Sequence, residues 1–190
     1  MKIMFLFSLI AESVCVQEVA SLHFNVTAIG ARNGSSTLEC WQMAQSFNTS
    51  NTPGTTGTAQ TALGSVASLS YTVIPPNFDG GIHNAPHNQW VVFLSGLAYI
   101  TLPGDNCTSA YVSGGEFGTI FAADIAAVST TGHRTQYPGT TETIALQIPT
   151  QDDTIPEHQV LHDGPCSPGE ISGIREFAMS QANPQAHGAA

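Results

Sequence analysis

Seven histidines stand in this chain: His23, His83, His87, His133, His158, His162 and His187. Three of them are spaced so that they could do chemistry. Side chains alternate along an extended strand, so positions 83, 85, 87 and 89 share one face. That face offers His83, Ala85, His87 and Gln89, with Pro86 able to bulge the strand. His133 follows a turn of small residues, Ser129 to Gly132. A hairpin-rich barrel could return it opposite His83. Imidazoles converging from separate strands can hold a divalent metal or move a proton. A lone histidine lining a barrel is more often a hydrogen-bonded core residue, so convergence is the informative feature.

Other constellations carry less. There is no G-x-S-x-G elbow, no Walker loop and no G-x-G-x-x-G after a strand. Asp152-Asp153 is a pair of adjacent acids in a polar loop, suited to solvation rather than glycoside chemistry. His158 and His162 are four apart, but Pro156 and a strand-like context argue against a helical zinc pair. Arg134 adjoins His133 and, in a strand, points the other way. Asp79 lies near His83, though Gly80-Gly81 leaves its direction open.

The elements that must position these residues read as strands. Residues 21–45 suggest two strands around a turn at Gly30–Gly34, and 46–63 a flexible Thr/Gly/Ser surface excursion. Residues 65–74 alternate, with Ala67, Leu69, Tyr71 and Val73 expected inward. Trp90 to Leu94 is apolar on both faces, as in a strand covered on both sides. Thr143 to Ile148 alternates again, with Ile144, Leu146 and Ile148 expected inward. Many short strands with Gly/Pro turns predict a single all-β sandwich or barrel over 21–166. The tail, 167–190, is expected to be partly disordered or to hold a short helix near 171–179.

Composition narrows the function classes. Four Lys+Arg against 14 Asp+Glu give a net charge of −10, too few cations for a nucleic-acid face or an anionic membrane surface. Residues 1–20 read as a signal peptide: Lys2, then an apolar run from Ile3 to Ala11, with a cut after 13, 15 or 20. That run is too short to span a bilayer. Sequons at Asn25, Asn33, Asn48 and Asn106 agree with export and glycosylation. Of Cys15, Cys40, Cys107 and Cys166, a Cys40–Cys166 bridge clasping the last ordered segment to an early strand is the favoured pairing; others stay open.

His83, Gln89 six residues on, Gly96, and Gly132-His133 together resemble the two motifs of the cupin superfamily, over roughly residues 65–150. The resemblance implies a cupin-like jelly-roll β-barrel holding one divalent metal. By position His83 and His133 are ligands and Gln89 stands where the family has Glu. Ala85 occupies the second His position, and His87 is the substitute. The metal so held would be Fe, Mn, Cu, Ni or Zn. An amide binds more weakly than a carboxylate, which would also neutralise charge. The strings FDGGIHNAP, QWVVFLSG, TETIALQIPT and PEHQVLHDGPC are similar to small secreted fungal cupin proteins found with aromatic-polyketide pathways of the patulin and oosporein type. That similarity implies a secretory or vacuolar oxidoreductase or dioxygenase acting on a small aromatic or quinone-like substrate in secondary metabolism. Tyr71, Phe93, Tyr99 and Leu146 are the expected pocket walls. The alternatives are a metal-free cupin that binds, isomerises or cyclises a metabolite, and a non-enzymatic secreted interaction protein. A homodimer built by sheet extension is compatible with the apolar strand at 90–94.

Overall fold

A computed structural model describes residues 22–171; the expected signal segment and residues 172–190 lie outside it. Its strands are β1 (His23–Arg32), β2 (Ser35–Ser46), β3 (Asn48–Thr49), β4 (Ala59–Gln60), β5 (Ser70–Ile74), β6 (Phe78–His83) and β7 (Gln89–Ser95). Then come β8 (Leu97–Leu102), β9 (Asp105–Ser113), β10 (Thr119–Ala122), β11 (His133–Tyr137), β12 (Thr143–Pro149) and β13 (His158–Asp163). The fold is all-β and jelly-roll-like. One sheet runs β13-β2-β1-β10-β7-β12-β5 and the other β6-β11-β8-β9. β1 and β10 pair in parallel, with Ala28 opposite Phe121, and the other ladders are antiparallel.

Local sequence explains the joints. The β1–β2 hairpin turns at Asn33-Gly34, both with positive φ, 53° and 79°. Asn-Gly is the pair best able to adopt that twist-matched turn. Glycine is also obligatory at Gly96, where a Cβ would lie 2.2 Å from the Thr143 hydroxyl. Cys40 on β2 is disulfide-bonded to Cys166, 126 residues on, which seats the segment after β13 against the N-terminal hairpin.

The main core lies between the sheets and includes Ile29, Leu38, Val91, Phe93, Ile100, Val112, Ile120 and Ala145. A second apolar cluster covers the other face of the large sheet: Val26, Trp41, Met43, Trp90 and Phe121, with Phe24, Leu63 and Ile148 against it. It explains why β7 begins apolar on both faces. The segment 46–63, expected as a bare excursion, helps build that cover. The Trp90 indole N–H donates to the Leu63 carbonyl at 3.0 Å, and Ser50 ties the loop through Thr52 and Thr55.

Two strands face opposite to expectation. On β5, Tyr71 and Val73 are exposed while Ile74 is buried. On β12, Thr143 and Ala145 are buried, and Leu146 lies beside Tyr71 and Val92 on the outward face. The inward row places Ile74 and Ala145 in the main core and Gln147 at a cavity between the sheets, bonded to Thr72.

Candidate functional site

β11 opens with His133, paired in register with His83 at the end of β6. Gly132 lets the strands approach so closely: its φ is +64°, and a Cβ there would lie 2.6 Å from the His83 carbonyl oxygen. The two imidazole rings are 4.5 Å apart between centroids. His83 is exposed at the mouth, and His133 is buried, 4% exposed.

Both enter a cavity of about 370 Å³ between the sheets. Alternation along β11 brings Thr135 and Tyr137 to the same wall, and alternation along β7 brings Gln89, Val91 and Phe93. Gln147 of β12 closes one side, its amide oxygen accepting from the Thr72 hydroxyl at 3.0 Å. Ile29, Ile100 and Ile120 supply the apolar floor. Burial raises the Tyr137 hydroxyl above its usual pKa of 10.0, so it remains a hydrogen-bond donor across the physiological range.

His133 is held from behind. Its Nδ1–H donates to Asp124 Oδ2 at 2.8 Å, and Asp124 is fully buried. The same carboxylate accepts from the Ser36 hydroxyl at 2.7 Å and from the Ala85 backbone N–H at 3.2 Å. Since Ser36 donates to Asp124, its oxygen accepts from Ser129, 2.8 Å away. The Ser129 oxygen in turn accepts from the Thr131 and Gly132 amides, each 3.3 Å away. This network fixes the tautomer of His133: the proton sits on Nδ1 and the Nε2 lone pair is left free. His83 is set likewise, its Nδ1–H donating to the Gly81 carbonyl at 3.1 Å.

The four residues expected as metal ligands are not brought together. His83, Gln89 and His133 line the cavity, but His87 is exposed and bonded to Asp153 at 3.1 Å. Pro86 turns the chain after His83, so the strand face assumed for 83–89 is broken. Asp79 does not reach the site either: it pairs with Arg134 on the outward face. The donors on hand are two imidazoles and one neutral amide. The one carboxylate nearby, Asp124, is already engaged by three donors. A site so short of ligands and negative charge fits a resident divalent metal poorly. Elsewhere among the described residues, the ligand atoms of Cys40, His162 and Glu170 lie within metal-binding reach of one another. The sulfur of Cys40 is spent in its disulfide, so that set lacks a thiolate.

Of the expected pocket walls, only Phe93 borders the cavity. Tyr71 is 62% exposed, Leu146 faces away with it, and Tyr99 stands on the outer face of the small sheet, stacked on Tyr111. Tyr137, Thr135 and Gln147 escaped sequence reasoning, and Asp124 was given no role in the site. Asp124 carried the one usable signal, a lone acid among alanines nine residues before His133. His158 stacks on Trp41, ring centroids 3.6 Å apart, and has a structural role.

No family model matches the sequence, and no curated protein matches it. Among solved structures, the chain is similar to a conserved protein of unknown function from Streptococcus pyogenes. The identity is 22%, over 45% of this chain and 68% of that one, with a TM-score of 0.31.

Proposed function

We propose that the chain is a metal-independent, cupin-like enzyme of a secretory compartment that moves a proton on a small, uncharged ring compound held between its sheets. The observation that carries this reading is the Asp124–His133 pair, buried at the back of a cavity with the Nε2 of His133 free to accept a proton. A histidine so oriented is a general base. Nε2 takes a proton from an acidic C–H or O–H of the ligand, and the carboxylate of Asp124 stabilises the imidazolium that forms. The electron pair left on the ligand moves toward its oxygen, where the Tyr137 hydroxyl or the Gln89 amide can donate a hydrogen bond. Return of the proton from Nε2 to another atom of the ligand completes an isomerisation or a ring closure, with no oxidant required.

The cavity wall also argues for a neutral ligand. Among the described residues, Arg32 pairs with Asp163 and Arg134 with Asp79, both away from the cavity. The polar groups that remain there are imidazoles, amides and hydroxyls, set among aliphatic side chains as in most small-molecule sites.

The test is a screen of neutral phenols, quinones and lactones by thermal shift, followed by turnover in chelator with wild type and His133→Gln. Turnover in chelator that His133→Gln abolishes while folding and ligand binding persist supports the reading. Turnover that chelator alone removes refutes it. The second reading, a metal-dependent oxidoreductase or dioxygenase on an aromatic substrate, is favoured by one feature: both histidines are anchored through Nδ1 and present Nε2. Elemental mass spectrometry after Fe(II) or Mn(II) reconstitution decides it, with one metal per chain, lost in both His83→Ala and His133→Ala, as the result required.

A further inference from the structure

The outward face of the small sheet carries a second concavity, of about 360 Å³, unrelated to the cavity between the sheets. Register builds it from two cross-strand rows. Ile82, Arg134, Thr101 and Ser109 form one, and Gln136 and Tyr99 the other, a row that Asp79 and Tyr111 extend past the concavity on either side. The loop from Leu102 to Asn106 forms its rim. Arg134 is pinned flat across the sheet: its Nε donates to Asp79 Oδ1 at 3.1 Å and its terminal nitrogen to Oδ2. Asp79 also accepts from the Gly81 amide and from Gln136. The guanidinium charge is thereby matched in place, and the floor is a neutral lattice of planar hydrogen-bonding groups. Beside it stand Tyr99 and Tyr111, stacked at 4.4 Å, with Tyr111 69% exposed. Planar amide and guanidinium groups next to aromatic rings suit the hydroxyls and C–H faces of a sugar ring.

Asn106, the acceptor of the sequon Asn106-Cys107-Thr108, lies in the wall of this groove. It is exposed, and its side chain makes no hydrogen bond among the described residues. Asp105 secures the turn around it, accepting from the amides of Cys107 at 2.7 Å and Thr108 at 3.1 Å. The other sequons differ. Asn25 is half-buried, its amide nitrogen donating to the Glu170 carbonyl at 2.9 Å and its oxygen accepting from Gln42. Asn48 bonds back to Ser46. Asn33 is exposed on the β1–β2 turn, where its φ is positive, 53°. We propose that the outer groove is a saccharide seat, occupied by the first N-acetylglucosamine units of a glycan carried on Asn106. The inference rests on entry into a secretory pathway and is independent of the chemistry in the inner cavity.

The experiment is secretion of the full chain from a eukaryotic host, with site occupancy read by mass spectrometry after glycosidase release. Hydrogen–deuterium exchange of residues 97–113 is then compared between wild type and Asn106→Gln. Expected are an occupied Asn106, exchange across β8 and β9 that is several-fold slower with the glycan, and the loss of that protection in both Asn106→Gln and Tyr111→Ser. Asn33 is the internal control. If Asn33 is occupied and Asn106 is not, the seat has no resident glycan and the proposal fails. An occupied Asn106 that gives no protection overturns it equally. If Asn106 is empty but free chitobiose shifts the Tyr99 and Tyr111 resonances of Asn106→Gln, the groove binds sugar from outside, and the chain's own glycan is ruled out as its occupant. Absence of sugar from all four sequons, Asn106 included, overturns the proposal as well.

Discussion

Replacing Asp124 by Asn is the sharpest perturbation of the network behind His133. The carboxylate accepts three hydrogen bonds in a site with no solvent exposure. An amide of the same shape cannot accept all three. With its oxygen toward His133 and Ser36, its NH2 confronts the Ala85 amide. Turned over, it confronts the imidazole N–H and the Ser36 hydroxyl. Each unpaired buried donor costs about 1–3 kcal/mol, so the variant loses about 2–4 kcal/mol. For a chain of this size that is a fall in Tm of roughly 5–15 °C. Tautomer exchange offers His133 partial relief: moving its proton to Nε2 lets Nδ1 accept from the new amide. That relief turns the cavity-facing nitrogen from acceptor to donor and removes the base. The assay is paired: urea or thermal melts, and long-range 15N–1H correlation spectra of the ring, which distinguish the two tautomers. Ser36→Ala removes one donor and leaves the Ser129 hydroxyl without its acceptor, so it should cost about 1–2 kcal/mol with the tautomer unchanged. An Asp124→Asn protein that melts within ~1 °C of wild type, when roughly 2–4 °C is expected per kcal/mol, and keeps its proton on Nδ1 would refute the reasoning.

The remaining expectations are shorter. Cys166→Ser should lower stability by about 5 kcal/mol in the chain-entropy limit for so long a loop, read as a large drop in the urea midpoint; a shift near zero would show the bridge to be dispensable. The Glu170 carboxyl is pulled down from 4.5 to about 2, chiefly by hydrogen bonds from the Ser167 hydroxyl and amide and then by His162. Its stabilising effect is therefore complete above pH 4.5 and fades as pH falls toward 2, so protection factors at residues 164–170, corrected for the intrinsic exchange rate, should fall across that window. His162 is raised above 6.5 by the Asp163 carbonyl and Glu170, so its contribution is complete below pH 6.5 and declines as pH rises beyond it. Phe93→Ala should enlarge the cavity and weaken ligand binding, while Tyr71→Ser and Leu146→Ser leave affinity unchanged; isothermal titration separates the two groups.

The all-β class and the near approach of His83 to His133 were legible in the sequence, because turn residues and period-two alternation report strands directly. The inward faces of β5 and β12 were not. There the inward row mixes Ile74 and Ala145 with Thr72, Thr143 and Gln147, while Tyr71 and Val73 of β5 face outward. Leu146 and Tyr71, expected inward, face out for that reason. Local rules fail most often near sites. His87 was misplaced because strand geometry was carried through Pro86. The role of Asp124 was hidden because its partners Ser36 and Ala85 lie 88 and 39 residues before it and meet it only when the sheets close.

The parallel pairing of β1 with β10 and the bridge from Cys40 to Cys166 place a condition on how this chain can be made. The N-terminal hairpin is synthesised early, yet its neighbour in the large sheet and its disulfide partner both arrive late. Cys166 is added 126 residues after Cys40, and Cys107 emerges between them. If the chain is threaded into an oxidising compartment, Cys40 meets Cys107 before Cys166. Native pairing then depends on thiol–disulfide exchange after β13 has docked, so the rate of maturation should follow the supply of disulfide isomerase rather than that of oxidant.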